Sequence, residues 1–189
     1  MQSDLADIVW TIADRIGTIL GFEDCVIYLR DGDKLVQYAA YGEKKFGERE
    51  IKSRIEIPTG QGIVGTVAQS GKAEIVADTR KDPRYIWDQF SGLSELTVPM
   101  IFEGKVIGII DSEAAIVNAF ASSDLELMQQ LANIAAPRIA SELAKQHISR
   151  AEIELRRSED ELQRILESVS DGILTIDKLG IVRSFNSAA

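Results

Sequence analysis

Leu5, Val9, Ile12, Ile16 and Ile19 recur at alternating spacings of four and three, which predicts an amphipathic helix stopped at Gly21. Two apolar, β-branched and aromatic runs follow, CVIYLRD and KLVQYAAYG. The turn residues around Asp31, Gly32 and Asp33 separate them, so they read as a hairpin. RIEIP, residues 54–58, alternates like a strand and ends at a proline. GQGIVGTVAQSGK then opens on glycines, spaces Val64, Val67 and Ala68 as a short helix would, and closes at Gly71; EIVAD reads as a short strand.

The period is lost over residues 78–93, DTRKDPRYIWDQFSGL, which mix a proline turn, charges and three aromatics in the manner of a binding loop. It returns in SELTVPMIFEGKVIGIIDSE, residues 94–113, a hairpin turning at Glu103 and Gly104. Strand alternation puts Asp111 and Glu113 on one face and Ile110 on the other. Ser123 and Glu126 read as a capping box that starts a long helix, in which Pro137 predicts a kink. From Ile148 the stripe becomes heptad-like through Ala151, Leu155, Leu162, Ile165 and Val169, with Ser158 as the weak position, a dimerisation pattern. Beyond Gly172, GILTIDKLGIVRSFNSAA reads as two short strands around a DKLG turn, marginal alone, so the chain is expected to stop inside a second domain.

Composition narrows the chemistry. The 189 residues carry a formal net charge of −9, and such a field repels phosphate backbones and anionic lipid, so neither nucleic acid nor membrane is an expected partner. Cys25 is the single cysteine, which excludes an internal disulfide or a multi-cysteine metal site and suits a cytoplasmic setting. No apolar run approaches the roughly 20 residues of a membrane span.

The words GQGIVGTVAQSGK, ADTRKDPRY, SELTVPMIFEGKVIGIIDSE and FASSDLELM, in this order, resemble a GAF domain, the small-molecule-sensing module of signalling proteins. ILESVSDGILTIDKLGIVRSFNSAA resembles the start of a PAS domain, and the segment between resembles the signalling helix that joins such modules in bacterial histidine kinases and diguanylate cyclases. The resemblance implies an α+β fold: an antiparallel sheet of about six strands flanked by helices, with a long C-terminal coiled-coil-like helix. It also implies a division into a GAF domain over residues 1–145, a signalling helix over 146–170 and a PAS fragment over 171–189.

Within that family the free methionine-(R)-sulfoxide reductases share GQG..GT and SE..VP...GKVIG..D with this chain. Their chemistry uses cysteine thiolates, and those positions fall here on Arg54, Val64 and Asp88. Glu95, Asp111 and Glu113 match the carboxylates of their amino-acid pocket. Buried carboxylates need a cationic partner, so these three are candidate ligand residues for an amine; the alternative is exposure to solvent or pairing with Lys105, Arg84 or Arg54. Tyr85, Trp87 and Phe90 are candidates to close over a ligand, or else ordinary core. The Thr66 hydroxyl, at the start of the short helix, is a candidate for an anionic group, or else simply a helix residue.

Cyclic-nucleotide-binding members carry an Asn-Lys pair before Phe-x-x-x-Asp. Phe120 and Asp124 supply only the second half, Ser112 and Glu113 stand at the first, and the acidic pocket disfavours phosphate. No cofactor or metal is expected: the pocket loops hold no cysteine for a bilin or histidine for a haem, and His147, the single histidine, lies in the exit helix. The expectation is therefore a non-catalytic sensing domain for an amine-bearing small molecule. It would form a homodimer through its N- and C-terminal helices and relay ligand state through the helical linker of a sensor kinase or cyclase. The competing readings are a ligand-free dimerisation module and a reductase-like enzyme.

Overall fold

A computed structural model describes residues 4–87, 92–168 and 174–185. Helix α1 (Asp4–Leu20) is followed by strands β1 (Cys25–Asp31) and β2 (Lys34–Tyr41), the predicted hairpin. A 3-10 turn, Gly42–Lys44, leads to a two-residue hairpin of β3 (Lys45–Phe46) and β4 (Glu50–Ile51), too short to leave an alternation in the sequence. Then come β5 (Glu56–Pro58), α2 (Gly62–Ser70), β6 (Glu74–Val76), β7 (Ser94–Phe102), β8 (Lys105–Ala114) and α3 (Ser122–Ser168). Six strands form one antiparallel sheet in the order β5-β2-β1-β8-β7-β6.

Alternation sorts the strand residues between the sheet's two faces. On one, Cys25, Ile27, Leu29, Leu96, Val98 and Ile110 pack with Leu5, Val9, Trp10, Ala13 and Ile16 of α1 and with Met128, Ala132, Ala136 and Ile139 of α3. Each large side chain fully buried there contributes about 1.5–3 kcal/mol. On the other, Val26, Tyr28, Leu35 and Ile109 pack with Ile57 and with Val64, Val67 and Ala68 of α2. The stripe on α1 fades at its end, where Ile19 is 66% exposed. Gly21, at φ +73°, follows the last helical residue.

The start of α3 corrects the expected capping box. The helix begins at Ser122, so Ser123 is already inside it; the Asp124 carboxylate accepts the Ala121 N–H at 2.7 Å, the reach-back half of a box set two residues earlier than Glu126 would give. The helix continues through Pro137. Phe22 and Phe120 meet edge to face at 5.3 Å beside this start.

Residues 1–143 and 144–189 are two separate units. In the second, Ile148, Leu155, Leu162 and Ile165 are exposed along α3, while Val169 lies outside the described residues. Strands β9 (Leu174–Ile176) and β10 (Val182–Phe185) pair as an antiparallel hairpin, and Asp177 Oδ1 accepts the N–H groups of Leu179 and Ile181 in its turn. Among the described residues no helix is long and apolar enough to cross a membrane.

Candidate functional site

On β7 and β8 the register sets Glu95 opposite Glu113 and Thr97 opposite Asp111, all four on the α2 side of the sheet and all buried. Leu96, Val98 and Ile110 between them turn to the helices α1 and α3. Polar residues thus occupy two alternate positions at the paired ends of β7 and β8, a costly arrangement unless they serve one another or a ligand.

The walls come from elsewhere in the chain. Tyr28 of β1 faces the carboxylates; its hydroxyl accepts from Gln37 Nε2 at 3.0 Å, and Gln37 Oε1 accepts the Ile55 N–H at 3.2 Å. Ile55, Ile57 and the first turn of α2, Gly62, Ile63 and Val64, form one side; Tyr85 and Ile86 form another. The space enclosed is about 30 Å³, room for about one water. An organic ligand enters only when these side chains move.

Charge inside this space is arranged in two parts. Lys44 reaches in from its 3-10 turn and sets Nζ 2.8 Å from Glu113 Oε2, while the Tyr85 hydroxyl donates to Glu113 Oε1 at 2.9 Å. Burial works to lower the Lys44 pKa, but the charges of Glu113 and Asp24 outweigh it and hold the amine above its ordinary value. The second part is Glu95 with Asp111. Burial first, then the neighbouring carboxylates, pushes Asp111 up to about 7 and Glu95 well above the usual range. This pair keeps a proton under conditions where free carboxylates have lost theirs. Burial likewise raises Tyr28, with Asp111 adding to it.

The structure therefore gathers Glu95, Asp111, Glu113 and Tyr85 at one cavity. Trp87 stands edge to face on Tyr85 at 5.0 Å and is 60% exposed. Phe90 lies outside the described residues. The Thr66 hydroxyl donates to Gly62 O at 2.6 Å within α2 and does not line the cavity. The cation that serves Glu113 is Lys44, which the sequence did not single out. Arg84 is turned to Glu74 and Asp82, and Lys105 and Arg54 are exposed. Of the three positions matched to reductase cysteines, Val64 lines the cavity, Arg54 is exposed and Asp88 is outside the described residues. Cys25, the chain's one thiol, is fully buried on the α1/α3 side of the sheet, and burial, with Asp24, raises its pKa far from the thiolate range. Among the described residues no group of three or more His, Cys, Asp or Glu is placed to hold a metal ion.

The profile of the GAF domain family matches residues 4–139. Over 78 residues the chain is 31% identical to the protein YtsP of Bacillus subtilis, and over 79 residues 34% identical to the free methionine-R-sulfoxide reductase of Saccharomyces cerevisiae. Each alignment covers 41% of this chain, and they cover 48% and 44% of those proteins, so the chain spans about half the length of the curated relatives it matches. The crystal structure of the free methionine-R-sulfoxide reductase of Neisseria meningitidis in complex with its substrate superposes with a TM-score of 0.65 at 24% identity, over 75% of this chain and 81% of that one. These findings correct two expectations, that the chain is a non-catalytic sensing domain and that it is not an enzyme. Relatives found both by sequence and by fold are named as enzymes, so the missing cysteine pattern does not place this chain outside catalysis.

Proposed function

This chain belongs to the GAF domain family, and from that premise we propose that its cavity receives a free amino acid of the class its reductase relatives act on, free methionine-R-sulfoxide. The observation that carries this reading is the buried Glu95–Asp111 pair, two carboxyls facing a cavity with no lysine or arginine among the described residues hydrogen-bonded to either. An incoming ammonium supplies the missing countercharge.

Reduction of the sulfoxide needs a sulfur nucleophile, and Cys25 is on the wrong face. In this reading the reductant is a soluble thiol: two thiols become one disulfide, and the sulfoxide oxygen leaves as water. The chain binds the amino acid, and the proton held by Glu95 and Asp111 passes to the departing oxygen as general acid.

The test is formation of methionine from methionine-R-sulfoxide and dithiothreitol, with binding followed separately by calorimetry. Turnover above the protein-free control is expected, and Glu95→Gln should lower it by about 100-fold or more. Binding without turnover removes the reduction step and leaves recognition; absence of both ends the reading.

Three segments are proposed as well: a GAF domain over residues 1–145, a helical linker over 146–170 and the start of a PAS-type domain over 171–189. The boundary between the two units near residue 143 and the β9–β10 hairpin support this division. Homodimerisation through the terminal helices is supported by exposed apolar side chains, Ile134 in the first unit and Leu155 and Leu162 in the second.

A further inference from the structure

Glu113 is served from within the chain on both oxygens, by Lys44 on Oε2 and by Tyr85 on Oε1. Glu95 and Asp111 are not. Among the described residues their one hydrogen-bonding neighbour besides each other is the Thr97 hydroxyl, 3.1 Å from Glu95 Oε1 and 2.7 Å from Asp111 Oδ1. A hydroxyl has a single hydrogen, so it cannot donate to both, and one carboxyl must supply a proton of its own. All three acids and Lys44 line the same cavity, which therefore has two cation positions: one filled by the lysine, the other open.

We propose that Lys44 is the specificity-determining residue of this pocket: its ammonium fills one of the two cation positions, so the site admits a ligand with one ammonium and refuses a ligand with two.

With Lys44 bonded to Glu113 and one proton shared by Glu95 and Asp111, that pair keeps roughly one negative charge with no hydrogen-bonded cation among the described residues. A single ammonium set against the pair neutralises it when the carboxylate common to all free amino acids lies away from the acids. A second would be a buried charge without a partner. Lys44 is also held where it is by its backbone. Gly42 sits at φ +82°, and a Cβ there would come within 2.2 Å of Glu23 O, so only glycine makes this turn. The Lys45 N–H closes onto Gly42 O, and the Lys52 N–H donates to Lys44 O at 2.9 Å. The ammonium is tethered to a fixed point, so it holds the Glu113 position against a ligand's second ammonium.

The choice between amino acids rests on the amino-acid reading above, whereas the existence of a cation position at Lys44 does not, and the experiment separates them. Lys44→Ala removes the tethered ammonium and leaves space for a small one. Ethylammonium chloride should raise the melting temperature of Lys44→Ala beyond an equal concentration of tetramethylammonium chloride, and by a wider margin than in the wild type, where Lys44 leaves one cation position instead of two; an equal margin in the two proteins overturns the role given to Lys44. If the variant does not fold alone, it should fold when ethylammonium is added. Absence of any specific ethylammonium effect overturns the role given to Lys44.

In the second arm, wild type should bind methionine-R-sulfoxide at least about tenfold more tightly than ornithine, and the ratio should fall or reverse in Lys44→Ala. Lys44→Gln, which retains a neutral donor for Glu113, should change the ratio in the same direction. An unchanged ratio in variants that bind either amino acid overturns the specificity claim. If no amino acid binds to any form while ethylammonium still protects Lys44→Ala, the cation position stands and the amino-acid reading is what fails.

Discussion

The Thr97 hydroxyl lies 2.7 Å from Asp111 Oδ1, directly across the β7–β8 pair. Because the same oxygen is also 3.1 Å from Glu95 Oε1, this contact ties the two acids to one shared proton. Their folded-state pKa values are raised, so the stability they contribute is complete below about pH 4, the unfolded value, and is lost as pH rises through about 7. Glu95→Gln removes the like-charge neighbour. At pH 8 the variant should be more stable than wild type by about 1–3 kcal/mol, and at pH 5 the difference should shrink toward zero. Urea melts at the two pH values decide; a pH-independent gap would mean that the acids do not share a proton.

Tyr85 and Trp87 touch each other, yet they should respond differently to truncation. Tyr85→Phe takes a donor from a buried charged carboxylate and should cost about 1.5–3 kcal/mol. Trp87→Ala, at an exposed ring, should stay within about 1 kcal/mol, the worth of one edge-to-face contact. Equal losses in chemical denaturation would show that Glu113 does not depend on the Tyr85 hydroxyl.

Part of this arrangement was legible in the sequence because it is local. Alternation in VIGIIDSE puts Asp111 and Glu113 on one face, but Glu95 joins them only through the register shift between Met100 and Ile101; regular pairing from Phe102 and Lys105 would set Glu95 opposite Ser112. Lys44 was not legible. It stands in a polar GEKK run with no period, and it meets Glu113 across 69 positions of sequence through a turn that no hydrophobic pattern announces. The Tyr28–Gln37 bond was hidden for a related reason: a bulge in the β1–β2 register, between Ile27 and Tyr28, sets this pair opposite one another. At the start of α3, Ser123 and Glu126 read as the capping pair, whereas the reach-back bond falls two residues earlier, on Asp124. The catalytic question was misread for a different cause. Absent cysteines test one mechanism of reduction, not whether a pocket acts on a substrate.

Gly108 of β8 should tolerate no side chain. A Cβ there would come within 2.4 Å of Tyr28 O and 2.6 Å of Met100 Cε, and the first of these is backbone in the next strand. Gly108→Ala should therefore cost about 1–3 kcal/mol and widen the β1–β8 pairing beside Tyr28. Thermal denaturation measures the loss; a neutral result would imply that the strands part without penalty.

Ile134, exposed on α3 in the first unit, and Leu162, exposed in the second, give separate tests of self-association. If the terminal helices join two copies, Ile134→Glu and Leu162→Asp should each lower the mass measured by light scattering, by up to half when both are combined. A mass unchanged in the double variant would remove the dimer.

The alternation that places Ile110 among the helices and Asp111 and Glu113 in the cavity also guards the folding of the sheet against error. A slip of one residue in β8 would turn both acids into the apolar core beside Val9 and Met128 and put Ile110 in front of Lys44. Most slipped strands lose some packing; this one would also strand two carboxylates in hydrocarbon and leave a lysine without its counterion. The polar positions that make the pocket chemically useful thus also penalise the nearest misfolded alternative, and a mutation that neutralises them should loosen the fidelity of strand pairing even where the native state gains stability.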